Sequence, residues 1–293
     1  MDHVVALASG PLHLELVPSI GGAISRFDYI DRDRRTPVLR TAPDPLQNIR
    51  RASCFPLIPF ANRIRGGCFH FRGREVRLPA SFPGEPLPIH GQGCLASWRV
   101  ESASGGNAVL AFDHEPDEWP WAYESKQYYA LDEGCLTVRL TCRNGSSEQM
   151  PCGLGLHPSF NCGPQTRIQT SVEEVWVIDQ DLLPVERLPA HGRYEISDDP
   201  ICSRDLNNGY CGWSGRAIFT DPDWPFELEL SSPDARFLQI YSPVGTGSFD
   251  AEPVSHANAA LNEPEEDWPA LGIQLLEPQE EADFEMRLEV RIK

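Results

Sequence analysis

The chain has 293 residues, with 43 acidic side chains against 25 basic ones and a formal net charge of −18. Such a surface repels nucleic acid and anionic membranes, so a neutral small molecule suits it better than a polyanion. Lysine occurs only as Lys126 and the terminal Lys293, which leaves Schiff-base chemistry one internal candidate with nothing around it to recommend it.

In chain order, Leu12 to Val17 alternates apolar and polar residues and stops at Pro18. Gly21 to Tyr29 follows as its hairpin partner across a glycine turn. Trp98 to Glu101, Ala108 to Phe112, Tyr128 to Leu131 and Cys135 to Cys142 are further strands, the last two joined by Asp132-Glu133-Gly134. Met150 to Leu156 reads as a strand with glycines at 153 and 155, where a neighbouring group approaches closely, and Pro158 ends it as a ladder. Leu271 to Leu276 reads as another. The final strand alternates Phe284, Met286, Leu288, Val290 and Ile292 with charged residues, giving one buried face and one wet face. Acidic, proline-containing segments at 41–48, 113–121, 179–200 and 262–270 read as surface loops. Helical periodicity is scarce, and no linker or fixed-period repeat divides the chain. The expectation is an all-β fold in one domain over residues 1–293, with two large antiparallel sheets packed as a sandwich.

The nine cysteines are scattered, odd in number and without a Cys-x-x-Cys pair, which reads as reduced cytosolic thiols. No stretch approaches the roughly 20 apolar residues of a membrane span, and the first residues lack the basic region and apolar core of an export signal. A soluble cytoplasmic protein, monomeric or homodimeric, is expected.

Four polar stretches interrupt the strand pattern. Asn62 and Arg63 stand between an apolar run and a glycine turn, where an amide and a guanidinium can fix several hydroxyls of one ligand. His90 sits in the glycine-bearing loop Pro88 to Gly93. His157 ends a strand and can exchange a proton near neutral pH. Gln239 interrupts an apolar run, and Glu252 precedes Pro253 at another strand end. A carboxylate drawn into a partly apolar cleft becomes a usable base there. Glu277 competes for that role but lies among Glu280, Glu281 and Asp283, the composition of a solvated turn.

The ordered set Asn-Arg, His-Gly, His-Pro-x-Phe, Gln and Glu-Pro on an all-β chain of this length resembles the aldose 1-epimerase (galactose mutarotase) family, over roughly residues 10 to 290. The resemblance implies a large twisted β-sandwich, the mutarotase supersandwich, acting on a free aldose with neither metal nor cofactor. It assigns the general acid to His157, the general base to Glu252, and sugar binding to Ala61 to Ile64 with Asn62 and Arg63, to His90 and to Gln239. Three positions depart from the family pattern. Ile58-Pro59 stands where Gly-Arg is usual, Ser159 replaces an aromatic, and Asn207 stands where a sugar-binding Asp is expected, losing a charge but keeping hydrogen-bonding capacity. Trp213 or Phe160 could stack on a sugar face. Two rivals accompany this reading: a zinc site of His90, His157 and Glu252, and a carbohydrate-binding or regulatory protein without turnover. For a phosphosugar the sequence shows no dense basic cluster, with Arg63 and Arg65 as the candidates for one.

Overall fold

Strands form where period-two alternation predicts them, and they build two large sheets. The computed structural model describes residues 4–293. One sheet of nine strands runs, in spatial order, Asp199–Pro200, Arg167–Thr170, Arg216–Thr220, Phe226–Ser231, Glu281–Ile292, Cys135–Asn144, Tyr123–Leu131, Asn107–His114 and Arg99–Ser104. A second sheet of eight runs Pro184–Pro189, Glu174–Ile178, Leu206–Cys211, Phe237–Ser242, Ser248–Val254, Gly155–Leu156 and Pro56–Leu57, with Ser159–Asn161 also paired to Ser248–Val254. A four-stranded sheet, Val5–Ser9, Leu12–Val17, Ala23–Asp31 and Arg34–Pro37, and two short ribbons complete the architecture. Among the described residues every strand pairing is antiparallel.

The last strand shows how the alternation is used. Leu288 lies opposite Leu136 on one side and Leu230 on the other, and all three are 0% exposed. Each such leucine contributes roughly 1.5–3 kcal/mol by leaving water. Ala282, Phe284, Met286 and Val290 face the same core, whereas Ile292 is 62% exposed because the strand runs past the edge of that core.

Several expectations need correction. Met150 to Leu156 is not one strand. Met150–Cys152 pairs with Gln274–Leu276, Gly155–Leu156 enters the eight-stranded sheet, and the break falls at Gly153 and Leu154. A short helix, Trp268–Leu271, begins inside the stretch read as a loop at 262–270 and takes in Leu271, and the paired strand begins only at Gln274. The loop read at 179–200 contains the strand Pro184–Pro189. The 113–121 segment buries Trp119 and Trp121, whose indoles pack against Phe69 between exposed acidic neighbours. Cys162 and Cys202 are joined by a disulfide across Cα atoms 5.6 Å apart, so these two are not the free thiols expected. Their separation of 40 residues left no local sequence signal. Among the described residues no helix is long and apolar enough to cross a membrane.

Candidate functional site

Glu252 and Gln239 face one another across neighbouring strands, since Phe237–Ser242 and Ser248–Val254 pair with Gln239 opposite Glu252 and Tyr241 opposite Asp250. Strand alternation sends both pairs to the same face. The next strand on that side, Gly155–Leu156, delivers His157 at its end. Its neighbours are tight. A Cβ on Gly155 would stand 2.7 Å from Val254 Cγ1, and one on Gly153 would stand 2.0 Å from His256 Cδ2, so both glycines sit where another group closes in, as the sequence suggested.

His157 is bracketed by two backbone hydrogen bonds, its own N–H donating to Phe55 O (3.0 Å) and the Ser159 N–H donating to Ser53 O (2.8 Å). The imidazole stacks on the Phe55 ring at 4.3 Å between centroids. That stacking fixes the ring plane and leaves Nε2 directed at Glu252 Oε1, 3.3 Å away. Glu252 is buried, at 3% exposure, and His157 is half-buried. Burial holds the Glu252 carboxyl well above the usual carboxylate range, Asp250 adds to the effect and Arg63 opposes it. Burial also lowers the His157 imidazole, while Asp250 acts in the opposite direction. At this distance one proton can pass between the two groups.

The Asn62-Arg63 stretch and the His90 loop form one braced unit. The His90 N–H donates to Asn62 O (3.1 Å), the Asn62 N–H donates to His90 Nδ1 (3.2 Å), and Arg63 bridges to Ile89. Asn62 and His90 both have left-handed backbones, at φ 58° and 69°. Asn tolerates that region better than most residues; His90 is held in it by the mutual hydrogen bonds. Because Nδ1 accepts from a backbone N–H, the neutral His90 ring carries its proton on Nε2, the nitrogen left for the cavity. Burial and the neighbouring His157 and Arg63 push His90 well below its ordinary pKa, which keeps it neutral and a hydrogen-bond donor.

A third histidine, which the sequence gave no reason to single out, fixes this unit from beneath. His256 Nε2 accepts from the Ala61 N–H (2.8 Å) and its Nδ1 lies 2.7 Å from Ala257 O, to which it donates. Asn258 Oδ1 accepts from the Arg63 N–H (3.1 Å). Arg63 itself is paired through Nε and Nη2 with both oxygens of Glu85 (3.2 and 2.9 Å), and its Nη1 donates to Asn62 Oδ1 (3.3 Å).

The result is a cavity of about 500 Å³ into which Asn62, Arg63, His90, His157, Asn207, Gln239 and Glu252 all open. The seven residues assigned from the sequence to proton transfer and to polar contacts with the sugar are therefore brought to one place. Gln239 Nε2 donates to Asn207 Oδ1 (3.1 Å), so the amide at position 207 serves as an acceptor. Trp213 and Phe160 are not there. Trp213 is buried with Nε1 donating to Thr170 Oγ1, Phe160 packs on Phe219 and Phe249, and the rings at the cavity are Phe55, Phe82 and Tyr241. Glu277 is exposed, as its acidic neighbourhood predicted. Asp250 and Glu85 were missed, although Asp250 was within reach because it stands two residues before Glu252 on the same strand face.

The metal alternative can be weighed on these contacts. One ligand atom each from His90, His157 and Glu252 lies within 4.8 Å of the others. A metal would need a lone pair from each histidine, and on His90 the Asn62 N–H already occupies Nδ1 and leaves the proton on Nε2. The donor set does not fit zinc.

The sequence profile of the aldose 1-epimerase family matches residues 13–289. The Escherichia coli K12 protein YphB is 33% identical over 276 residues, covering 89% of this chain and 91% of that protein. A solved E. coli K12 structure superposes with a TM-score of 0.90 at 30% identity, over 99% of both chains. A galactose mutarotase-like protein from Clostridium acetobutylicum shares the fold at a TM-score of 0.86 and 19% identity, covering 98% and 95% of the two chains. With the profile spanning nearly the whole sequence and a third of YphB's residues shared, the chain belongs to the aldose 1-epimerase family.

Proposed function

We propose that the protein interconverts the α and β anomers of an aldose, with Glu252 and His157 moving the protons. Glu252 takes the proton of the C1 hydroxyl as His157 gives one to the ring oxygen. The C1–O5 bond breaks and the C1 oxygen becomes the aldehyde carbonyl. Rotation about C1–C2 presents the other carbonyl face. On closure the C5 hydroxyl attacks C1, His157 takes back the proton of that hydroxyl, and Glu252 returns one to the new C1 oxygen. The pair ends as it began, carrying one proton, so no metal or redox partner enters the balance.

The observation that carries the reading is the 3.3 Å contact between the two groups inside a cavity of sugar size. Around it stand the groups a polyhydroxylated ring requires. His90 supplies a neutral donor, Arg63 a guanidinium aimed by Glu85, and Asn62, Asn207 and Gln239 supply amides that both donate and accept. Anomer equilibration of aldoses, followed by polarimetry, tests the proposal. The parent protein accelerates equilibration and Glu252→Gln and His157→Asn variants do not. Sugar binding without acceleration by the parent would assign the cavity to recognition alone.

A further inference from the structure

The sequence shows no dense cluster of basic residues, but the fold makes one. Arg40, Arg50 and Arg51 open into the same cavity as His157 and Glu252, beside Arg63. They belong to the layer that carries the catalytic imidazole. The Arg40 N–H donates to Ser159 O (2.7 Å), two residues beyond His157, and Arg50 and Arg51 form the turn Ile49–Arg51 just ahead of Ser53 and Phe55, which bracket His157. Asn48 caps that turn through the Arg50 N–H (3.0 Å).

These three arginines are uncommitted. Elsewhere in this acidic protein many arginines meet carboxylates, as Arg35 meets Asp28, Arg99 meets Asp113 and Arg216 meets Glu229, and others such as Arg65 and Arg204 are spent on backbone carbonyls. Among the described residues Arg40, Arg50 and Arg51 pair with no carboxylate, and Arg40 Nε is buried without a hydrogen-bond partner. Arg40 Nη2 donates to Ala52 O (3.0 Å), which holds the guanidinium in place, and the Arg50 guanidinium lies 5.6 Å from the centre of the Phe82 ring.

The wall around them is short of negative charge. Four arginines line the cavity against three carboxylates, and of those Glu85 is paired with Arg63 while Glu252 shares its proton with His157. Position 207 holds an amide. In a chain of net charge −18, a positive pocket requires an explanation that solubility does not supply. Guanidiniums without a carboxylate partner on a cavity wall are the usual means of recognising carboxylate, sulfonate or phosphate oxygens.

We infer that the preferred substrate is an anionic aldose, whose acidic group, at the end of the sugar away from C1, is received by Arg40, Arg50 and Arg51. This rests on the reading of the site as a mutarotase. The anion docks among the arginines while C1 and the ring oxygen meet Glu252 and His157.

The test compares anomer equilibration of glucose and galactose with that of their 6-phosphates, their 6-sulfonates and the matching hexuronates, using parent protein and an Arg50→Gln/Arg51→Gln double variant. Both side chains are exposed and make no hydrogen bond or ion pair among the described residues, so folding is not at stake. One anionic series is expected to exceed its neutral counterpart at least tenfold in kcat/KM, and that ratio falls at least tenfold in the double variant. Which series it is identifies the anion. Raising the salt concentration lowers the ratio in the parent. Neutral sugars handled as well as every anionic one, or a ratio unmoved by the double variant, overturns the inference while leaving the mutarotase reading intact. No acceleration of any sugar refutes both.

Discussion

Replacing Glu252 by Gln isolates the proposed base with little change of shape. The amide fits the same volume, and its carbonyl or NH₂ can still meet His157 Nε2 at the 3.3 Å spacing of the parent. What it cannot do is accept a proton from the C1 hydroxyl. Positioned proton transfer contributes about 10²–10⁴-fold, equivalent to about 3–5 kcal/mol of barrier, so kcat/KM falls by that factor while sugar binding is retained. The same substitution has a signature in stability. The folded-state pKa of Glu252 is raised, so its contribution is complete below the usual carboxylate range and is lost as pH rises through the folded value. Gln does not titrate. The variant therefore gains stability relative to the parent as pH rises above the usual carboxylate range, measurable by urea denaturation at each pH. Equilibration within threefold of the parent, in a variant that still binds sugar, would refute the assignment of the base. A stability difference that does not change with pH would refute the upward shift of its carboxyl on burial.

Three further outcomes follow from the same geometry. His90→Gln places an amide nitrogen near the position of the imidazole Nε2 and retains most affinity, whereas His90→Asn does not reach; KM values differing by about fivefold or more in that order check the tautomer. Gly91→Ala brings a Cβ within 2.0 Å of Ile58 O at φ +70°, against backbone that cannot yield, and costs about 2 kcal/mol or more in chemical denaturation. His256 is depressed by burial from 6.5 to about 4, so its contribution is full above 6.5 and lost as pH falls through about 4. That span corresponds to about 3 kcal/mol of acid-induced destabilisation, and it appears in the difference between parent and His256→Gln measured across the range, because Gln does not titrate.

The strands were legible because burial on one face and solvent on the other imprint a period of two, as in Phe284 to Val290. The departures have local causes. Ile292 follows the pattern but outruns the core, and Trp119 and Trp121 lie in an acidic stretch whose composition describes Glu115, Asp117 and Glu118 and not the indoles. The site residues could be named because each breaks an apolar run with a group the sandwich does not need, and because their order matched a family. The braces could not. His256 and Asn258 hold Ala61 and Arg63 across separations of 195 residues, and nothing in the sequence around them distinguishes a brace from a surface polar residue. The basic wall was hidden for the same reason, since Arg40, Arg50 and Arg51 become a cluster only when the chain folds over His157. The Cys162–Cys202 bond likewise depended on a proximity that spacing does not encode.

The most direct measurement is the exchange rate between the two anomers, followed by polarimetry or by magnetisation transfer, with neutral and anionic aldoses and catalytic amounts of purified protein. The account predicts that at least one aldose equilibrates faster with the parent protein and that a Glu252→Gln/His157→Asn double variant leaves every sugar at its rate in buffer. Parent protein that changes no exchange rate, or a double variant that matches the parent, would contradict it.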